Sequence, residues 1–194
     1  GSEMCIRDRR GIALAAFTCL LPLFAVLWIA VRIESPGPFL FRQKRRGFKG
    51  VKFEILKIRT MSMGSEKRTA LGVQLGDASV TRVGKIMRDL KLDELPQLWN
   101  IVRGDMELVG PRPIPVALED ELREHIDDFY DRGCVKPGLT NVSQVSILEN
   151  QLGDKLIHDW KLRFEGELHY IRNKSVAYDV ILVLLTGLYV MRKT

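Results

Sequence analysis

The stretch LDELPQLWNIVRGDMELVGPRP, residues 92–113, concentrates more local signals than any other part of the chain. Asp93 precedes apolar residues that recur at helical spacing and is therefore a candidate N-cap, and Gly104 follows as a plausible C-terminal stop. A stiff Gly-Pro-Arg-Pro turn then fixes the guanidinium of Arg112. The stretch predicts a short helix with two carboxylates, Asp93 and Glu94, at its entrance.

Two adjacent carboxylates and a rigidly held arginine suit phosphoryl chemistry. A carboxylate can attack phosphorus or hold Mg²⁺, and arginine binds phosphate oxygens in a bidentate fashion. A purely structural interpretation is favoured by frequency, because an aspartate before a helix is usually a cap and a Pro-Arg-Pro sequence is usually a turn. From spacing alone, both interpretations stay open.

Composition and charge narrow the class of partner. A chain of 194 residues is long enough for one domain with a substantial core, and its net charge of +6 predicts an anionic partner. Lysines and arginines cluster beside an apolar run and no zinc-finger or RNA-binding motif occurs, so anionic lipid is favoured over nucleic acid. The cysteines at 5, 19 and 134 fit neither a disulfide framework nor a zinc site, which favours a reducing compartment.

Residues 12–31 form an apolar run in which Thr18 is the only clearly polar side chain. At 1.5 Å per residue such a run extends about 30 Å, just enough to cross a bilayer. Pro22 lies within the run and should kink the helix, and the basic residues on both flanks favour the cytoplasm. A kinked transmembrane helix and a re-entrant helix that bends and returns both fit. Residues 1–10 fit no helix, and residues 1–11 read as a tag or an altered N-terminus.

The rest of the chain predicts a helix-rich α+β fold with a small β-hairpin. The basic run 42–46 can meet lipid headgroups. The segment Val180–Val190 is apolar but too short to span a bilayer, so it forms either part of the core or an interfacial helix. Phe39–Phe41 forms either a short strand or an interfacial anchor. The other expected elements are a second hairpin strand at Val51–Ile58 after a turn at 47–50, a mobile loop over Ser62–Ser79, and helices over Val83–Leu90, Val116–Tyr130 and Leu156–Ile171.

Five blocks follow one another along the chain: SPGP at 35–38, KIRTM at 57–61, TRVG at 81–84, the stretch 92–113, and KPGLT at 136–140. Together they resemble the signature of bacterial monotopic phosphoglycosyl transferases, the undecaprenyl-phosphate sugar phosphotransferases. The resemblance implies a re-entrant membrane helix over residues 12–34. It further implies a cytoplasmic catalytic domain over residues 35–194 with interfacial amphipathic C-terminal helices, at the cytoplasmic face of a bacterial inner membrane.

The same resemblance implies a reaction. A UDP-sugar would give its sugar-1-phosphate to polyprenol phosphate, with release of UMP, as the first step of bacterial glycoconjugate synthesis. Asp93 would be the nucleophile of a covalent aspartyl-phosphosugar intermediate, and Asp93 and Glu94 would be the catalytic pair that holds Mg²⁺. Membrane lipid is a further expected partner and nucleic acid is not. The rival is a non-catalytic basic module that binds anionic lipid, which leaves this carboxylate pair without a use.

The resemblance also implies two sets of substrate-binding residues. Basic side chains that would bind the phosphates are Arg59, Arg112, Lys57 and Arg88, and Arg88 is also a candidate to orient the carboxylates. Loop residues that would border the nucleotide-sugar pocket are Pro113, Lys136, Gly138 and Thr140. For Arg59, Lys57 and Arg88, the alternative is that each is an ordinary exposed charge. The sequence NVSQ at 141–144 departs from the GWAQ that is common in the family, so the sugar stays undetermined.

Overall fold

The computed structural model describes residues 2–63, 79–143 and 154–193. Helices dominate these residues, and two separate two-stranded sheets complete the predicted helix-rich α+β fold. In chain order the elements are α1 (Ser2–Cys19), α2 (Leu21–Glu34), β1 (Leu40–Arg46), β2 (Lys52–Ile58), α3 (Arg82–Asp89), α4 (Gln97–Arg103), β3 (Glu107–Val109), α5 (Val116–His125), β4 (Gly138–Thr140), α6 (Asp154–Arg172) and α7 (Val176–Lys193), with 3-10 turns at Phe48–Gly50, Leu92–Glu94 and Phe129–Cys134. Most of the loop predicted over Ser62–Ser79, and Gln144, lie outside the described residues.

The long apolar run is bent between α1 and α2. The two helices meet at 56°, and Pro22 lies in the first turn of α2, where its missing N–H leaves no helical bond broken. The predicted kink is confirmed. The expectation that residues 1–10 fit no helix is wrong, since α1 begins at Ser2, in a segment that contains several good helix formers.

Within the described residues, no single helix has the length and apolar composition needed to cross a bilayer. The segments Arg10–Cys19 and Leu21–Glu34 meet that requirement only as a bent pair, by length and composition alone.

Both halves of this bent pair pack against the helices that flank Asp93 and Glu94 in the chain. Ala13 of α1 is fully buried in a cluster with Leu98 and Ile101 of α4. At the other end, the carboxylate of Glu34 accepts hydrogen bonds from the backbone N–H groups of Arg82 at 2.7 Å and Val83 at 2.8 Å, which satisfies the first turn of α3. The N-terminal helices are therefore tied to α3 and α4.

The predicted hairpin is confirmed, but its first strand is longer than expected. Strand β1 continues to Arg46 and pairs antiparallel with β2, from Leu40 opposite Ile58 to Arg46 opposite Lys52. Because side chains alternate between the faces of a strand, the basic run divides. Arg42 is exposed on one face, as the lipid-headgroup prediction requires, whereas Arg45 lies on the face of Lys57 and is mostly buried.

Asn100 joins this hairpin to α4. Its fully buried amide donates from Nδ2 to the carbonyl of Glu54 at 2.7 Å and accepts at Oδ1 from the N–H of Leu56 at 3.0 Å. One side chain thereby holds two backbone groups of β2 beside α4. The separation between Lys57 and the residues that lead into α4 is fixed by this bridge.

The segment Lys136–Thr140, predicted as a loop, contributes a strand instead. Gly138–Thr140 forms β4, which pairs in parallel with β3, Glu107 opposite Gly138 and Val109 opposite Thr140. The backbone of Gly138 approaches Gly110 so closely that a Cβ on either glycine would clash with main-chain atoms of the other segment. The KPGLT block therefore lies directly against the Gly-Pro-Arg-Pro turn.

The C-terminal helices complete a second core. Helix α6 matches its predicted range and packs Trp160 and Phe164 against Leu122 of α5 and against Phe129. Helix α5 ends at His125, shorter than predicted, because Ile126 adopts an extended backbone conformation with φ −127° and ψ 113°. Helix α7 is longer than the apolar segment that predicted it, and a row of its apolar side chains is exposed: Val180, Ile181, Leu184 and Leu188.

Candidate active site

Asp93 and Glu94 lie in a buried 3-10 turn that precedes α4. Lys91, in a left-handed conformation with φ 57°, introduces the turn, and the two carboxylate residues are only 7% and 6% exposed. Asp93 was predicted as the N-cap of the following helix, and this is wrong: Pro96 occupies that position and α4 begins at Gln97. The predicted stop is confirmed, since Gly104 has φ 86° and its N–H caps the carbonyls of α4. Neither carboxylate is therefore used as a helix cap.

Glu94 is held between two cations. Its Oε1 accepts from Lys57 Nζ at 2.7 Å and from Arg112 Nη2 at 3.2 Å. Burial opposes ionisation of this carboxyl group, but Lys57 and Arg112 outweigh it and keep the pKa of Glu94 well below its usual range. Glu94 is therefore ionised and oriented, and it brings together residues from β2, from the turn before α4 and from the turn after β3.

Asp93 has the opposite environment. No hydrogen bond to its carboxylate is made within residues 2–63, 79–143 and 154–193. Burial raises the pKa of Asp93, Lys57 counteracts the rise, and the negative charge of Glu94 adds to it. Two neighbouring carboxylates whose pKa values move in opposite directions are typical of a functional site. The one with the raised pKa and an uncommitted oxygen is the better nucleophile.

Arg45 joins this site, although the sequence placed it at the lipid surface. Its Nη1 donates to the carbonyl of Pro113 at 3.1 Å, and its Nη2 donates to Gln43 Oε1 at 2.6 Å. Burial and the like charge of Arg112 lower the pKa of Arg45 to about 9, so it stays protonated at neutral pH. The signal that could have found it is the hairpin register, because a strand extended to residue 46 puts Arg45 on the same face as Lys57.

Lys57, Arg45 and Arg112 together carry three positive charges, and Glu94 directly pairs with two of them. The ionised form of Asp93 is disfavoured by burial. This local surplus of positive charge suits an anionic ligand such as a diphosphate.

Arg59 and Arg88 make contacts away from the carboxylate pair. The buried guanidinium of Arg59 donates to Ser35 Oγ at 3.2 Å, to the Ser35 carbonyl at 2.6 Å and to the Pro36 carbonyl at 2.8 Å. It thereby fixes the chain where it leaves α2. Arg88 Nε donates to Thr60 Oγ1 at 2.8 Å, and its charge also lowers the pKa of Asp93. The predicted phosphate contact of Arg59 and the orienting role of Arg88 stay predictions.

The residues predicted to border a nucleotide-sugar pocket meet at the Gly-Pro-Arg-Pro turn. Gly138 N–H donates to the carbonyl of Pro111 at 3.0 Å, and Gly110 N–H donates to the carbonyl of Thr140 at 3.0 Å. Lys136 precedes this contact and is half-buried. The structure therefore brings two blocks that are distant in sequence to one place. A small pocket beside them is lined by Pro111, Arg112, Pro113, Pro137 and the basic residues Arg46, Arg123 and Arg132.

The two carboxylates of the site are also candidate ligands for a metal ion. The described residues contain no group of three or more His, Cys, Asp or Glu side chains that could hold a metal by themselves. Mg²⁺ in phosphoryl-transfer sites is commonly held by one or two carboxylates together with substrate phosphates. Asp93 and Glu94, two adjacent carboxylates, fit that incomplete type of site.

A sequence model of one family matches most of the chain. It is that of the bacterial sugar transferases, and it covers residues 8–193. The chain belongs to the bacterial sugar transferase family. The resemblance first indicated by the ordered blocks is therefore confirmed at the level of the family.

Curated relatives in this family support the assignment over nearly the whole chain. A UDP-glucose:undecaprenyl-phosphate glucose-1-phosphate transferase of Caulobacter vibrioides is 42% identical over 176 residues, 90% of this chain and 65% of that protein. A UDP-N-acetylgalactosamine-undecaprenyl-phosphate N-acetylgalactosaminephosphotransferase of Aeromonas hydrophila is 38% identical over 92% of this chain and 42% of its own length. A second UDP-glucose:undecaprenyl-phosphate glucose-1-phosphate transferase, from Escherichia coli, is 35% identical over 96% of this chain and 40% of its own length. The chain thus spans less than two thirds of these relatives.

Proposed function

We propose that this protein is a phosphoglycosyl transferase that moves a sugar-1-phosphate from a UDP-sugar to polyprenol phosphate, specifically undecaprenyl phosphate, and releases UMP. The observation that carries the proposal is the pair Asp93 and Glu94, one carboxylate uncommitted with a raised pKa and the other held between two cations. Relatives whose names describe this transfer support the choice of donor and acceptor. They name different sugars, so the sugar is left open.

The first step is a displacement at phosphorus. An oxygen of the Asp93 carboxylate attacks the β-phosphorus of the UDP-sugar, an acyl phosphate bond forms, and the bond to the oxygen bridging the two phosphates breaks. UMP leaves with that oxygen and its electron pair. In the second step a phosphate oxygen of polyprenol phosphate attacks the same phosphorus, the aspartyl–phosphorus bond breaks, and Asp93 is restored as a carboxylate. The product is polyprenyl-diphosphate-sugar, and the use of one carboxylate in both steps predicts ping-pong kinetics.

The cations of the site offset charge on the phosphates. Arg112 and Lys57, both within hydrogen-bond reach of Glu94, can turn part of their donor capacity to phosphate oxygens, and Arg45 adds a third positive charge nearby. Asp93 and Glu94 would hold Mg²⁺ together with those phosphates. Bound there, the ion supplies neutralisation of the charge on the transferred phosphate.

The acceptor is a lipid, so the site must lie at a membrane. We infer that α1 and α2 enter the bilayer as a re-entrant pair, because their bend of 56° and the basic residues at both ends allow entry and return on one side. The exposed apolar row on α7, in which Val180, Leu184 and Leu188 are each more than half exposed, suits an interfacial helix. The proposed location is the cytoplasmic face of a bacterial inner membrane, where the product begins a glycoconjugate such as an O-antigen, capsule or exopolysaccharide.

The deciding experiment incubates the full chain in vesicles with polyprenol phosphate, Mg²⁺ and a panel of nucleotide sugars, and measures nucleoside monophosphate release. We expect continuous UMP release with at least one UDP-sugar. Without acceptor, the same donor should release at most one equivalent of UMP per enzyme and leave a labelled sugar phosphate on the protein. Salt-sensitive binding to anionic vesicles with no monophosphate release from any donor would instead favour the non-catalytic lipid-binding module.

A further inference from the structure

We propose that the buried ion pair of Arg132 and Glu167 is a positioning device for Arg112, which it holds by the backbone so that the guanidinium reaches the carboxylate site. This inference rests on the proposed function, which gives Arg112 its role toward the phosphates. Neither member of the pair belongs to the blocks that identified the family. Arg132 lies in the 3-10 turn Phe129–Cys134, and Glu167 lies in α6.

Both backbone groups of Arg112 are bonded to this one ion pair. The N–H of Arg112 donates to Glu167 Oε1 at 3.0 Å, and its carbonyl accepts from Arg132 Nη2 at 2.6 Å. The residue lies between Pro111 and Pro113, whose ring-fixed φ angles already limit the chain on either side. With the two prolines and the two hydrogen bonds, little backbone freedom is left at the point where the Arg112 side chain begins.

The ion pair itself is rigid. Arg132 binds Glu167 through two bonds, Nε to Oε2 at 2.9 Å and Nη2 to Oε1 at 2.9 Å, the bidentate geometry that arginine favours with carboxylates. Its guanidinium also lies over the rings of Phe129 at 5.0 Å and Trp160 at 5.8 Å. Arg132 is 6% exposed and Glu167 is 1% exposed, so solvent does not compete for these contacts.

A role in stability alone does not account for this arrangement. Replacing a buried ion pair with apolar residues of similar volume is often neutral or stabilising, so such a pair is weak evidence for stability. Its geometry is better explained by what it holds, because the far end of Arg112 contacts Glu94 Oε1 at 3.2 Å. A displacement of about 1 Å in a substrate-positioning group can cost about 10²-fold in rate. Arg132 and Glu167 therefore act through Arg112 and are positioning residues.

The test is a double-mutant cycle measured as kcat/KM for UMP release with polyprenol phosphate as acceptor. Glu167→Gln keeps the shape of the side chain but weakens its bonds, and we expect roughly a tenfold loss, smaller than the loss from truncating Arg112 itself. In an Arg112→Ala background the same change should have no further effect on kcat/KM, because the group that it positions is gone. Thermal stability is measured for each variant alongside.

The matched control is Glu119→Gln. Glu119 is also a buried glutamate, 4% exposed, and pairs with Arg123 at 2.7 Å rather than with Arg112. Any effect of this change should multiply with that of Arg112→Ala, as expected for two residues that share no hydrogen bond or ion pair. The contrast separates positioning from a general loss of a buried charge.

If Glu167→Gln does not fold, Arg132→Lys takes its place, since lysine keeps the charge but cannot reproduce the two parallel bonds. The inference is overturned if the variant lowers kcat/KM by the same factor with and without Arg112. Failure of the proposed function gives a different result, because the unaltered protein would then release no UMP. If the unaltered protein releases UMP and Arg112→Ala leaves the rate unchanged, the positioning inference alone is overturned.

Discussion

Glu94 and Glu167 are both buried glutamates that contact Arg112, but they meet different ends of it. Glu167 contacts the backbone, and both of its carboxylate oxygens are bonded to Arg132 in a closed arrangement. Glu94 contacts the side chain and stands beside Asp93, to which the described residues donate no hydrogen bond. The closed cluster has its charges paired, whereas the open one has a cation surplus. The difference separates residues that set geometry from residues that face a ligand.

The largest effect that can break this comparison concerns Asp93. If the open cluster carries the chemistry, Asp93→Asn should lower UMP release by about 10⁴-fold or more, as expected when a covalent nucleophile is removed. The measurement is multiple-turnover UMP release at saturating donor. Asp127→Asn, which alters an exposed carboxylate, serves as the control and should retain the full rate. Substantial turnover by the Asp93 variant would rule out nucleophilic attack.

Arg112 links the two clusters, and its removal should have the next largest effect. Arg112→Ala should slow turnover by about 10²-fold, the scale of one lost transition-state donor. Arg103→Ala, which removes a half-exposed arginine paired with Asp105, should change the rate little. Steady-state kinetics for the two variants measure the difference, and equal rates for both would take Arg112 out of the site.

The third prediction sharpens the comparison through stability. Glu94→Gln leaves Lys57 and Arg112 facing each other without their shared counter-charge, so the free energy of unfolding should fall by about 2 kcal/mol, below the range for fully buried pairs because both cations are partly exposed. The pKa of Glu94 is lowered in the folded state. The stabilisation that ionised Glu94 gives to the folded protein is therefore present at neutral pH and is lost as the pH falls through that lowered pKa. Denaturant unfolding at several pH values measures this.

Glu107→Gln is the control for that experiment, because it breaks a more exposed pair with Lys174 at 2.8 Å. It should cost less than about 1 kcal/mol. If Glu94→Gln lowered the free energy of unfolding equally little, the charges of the open cluster would be screened by solvent, contrary to the prediction.

The smallest predicted effect is a gain in stability, whereas the substitutions above cause losses. Burial raises the pKa of Asp93, so the folded protein binds that proton more tightly than the unfolded chain, and ionised Asp93 costs stability as the pH rises through its pKa. Asp93→Asn should therefore raise the melting temperature at pH 7 to 8, and the gain should vanish below about pH 4, where aspartate is protonated in both states. Calorimetry across pH checks this, and a variant less stable than the parent at pH 8 would contradict it.

Sequence reasoning located what local signals encode. The kink at Pro22, the stop at Gly104 and the amphipathic range of α6 depend on residues close in the chain, and all three are confirmed. The carboxylates themselves were found, but the cap at Asp93 was misplaced because Pro96 competes for the start of α4.

What sequence reasoning missed depends on contacts between distant residues. Glu167 and Arg132 lie 35 positions apart, and each resembles an ordinary helix or turn charge until the fold brings them to Arg112. Gly138–Thr140 becomes a strand only because β3 lies beside it. Arg45 required the register of a hairpin whose first strand was predicted too short. Patterns within one segment contain no information about such pairings.

The amide of Asn100 narrows what protein engineering can change near the site. It donates to one carbonyl and accepts from one N–H of the same strand, and no other side chain of that length has both capacities in one planar group. Aspartate would set a second acceptor against the carbonyl of Glu54, and leucine would leave both strand groups without partners in a dry interior. A saturation library at position 100 should therefore return asparagine, and variants with a new donor preference have to be sought elsewhere.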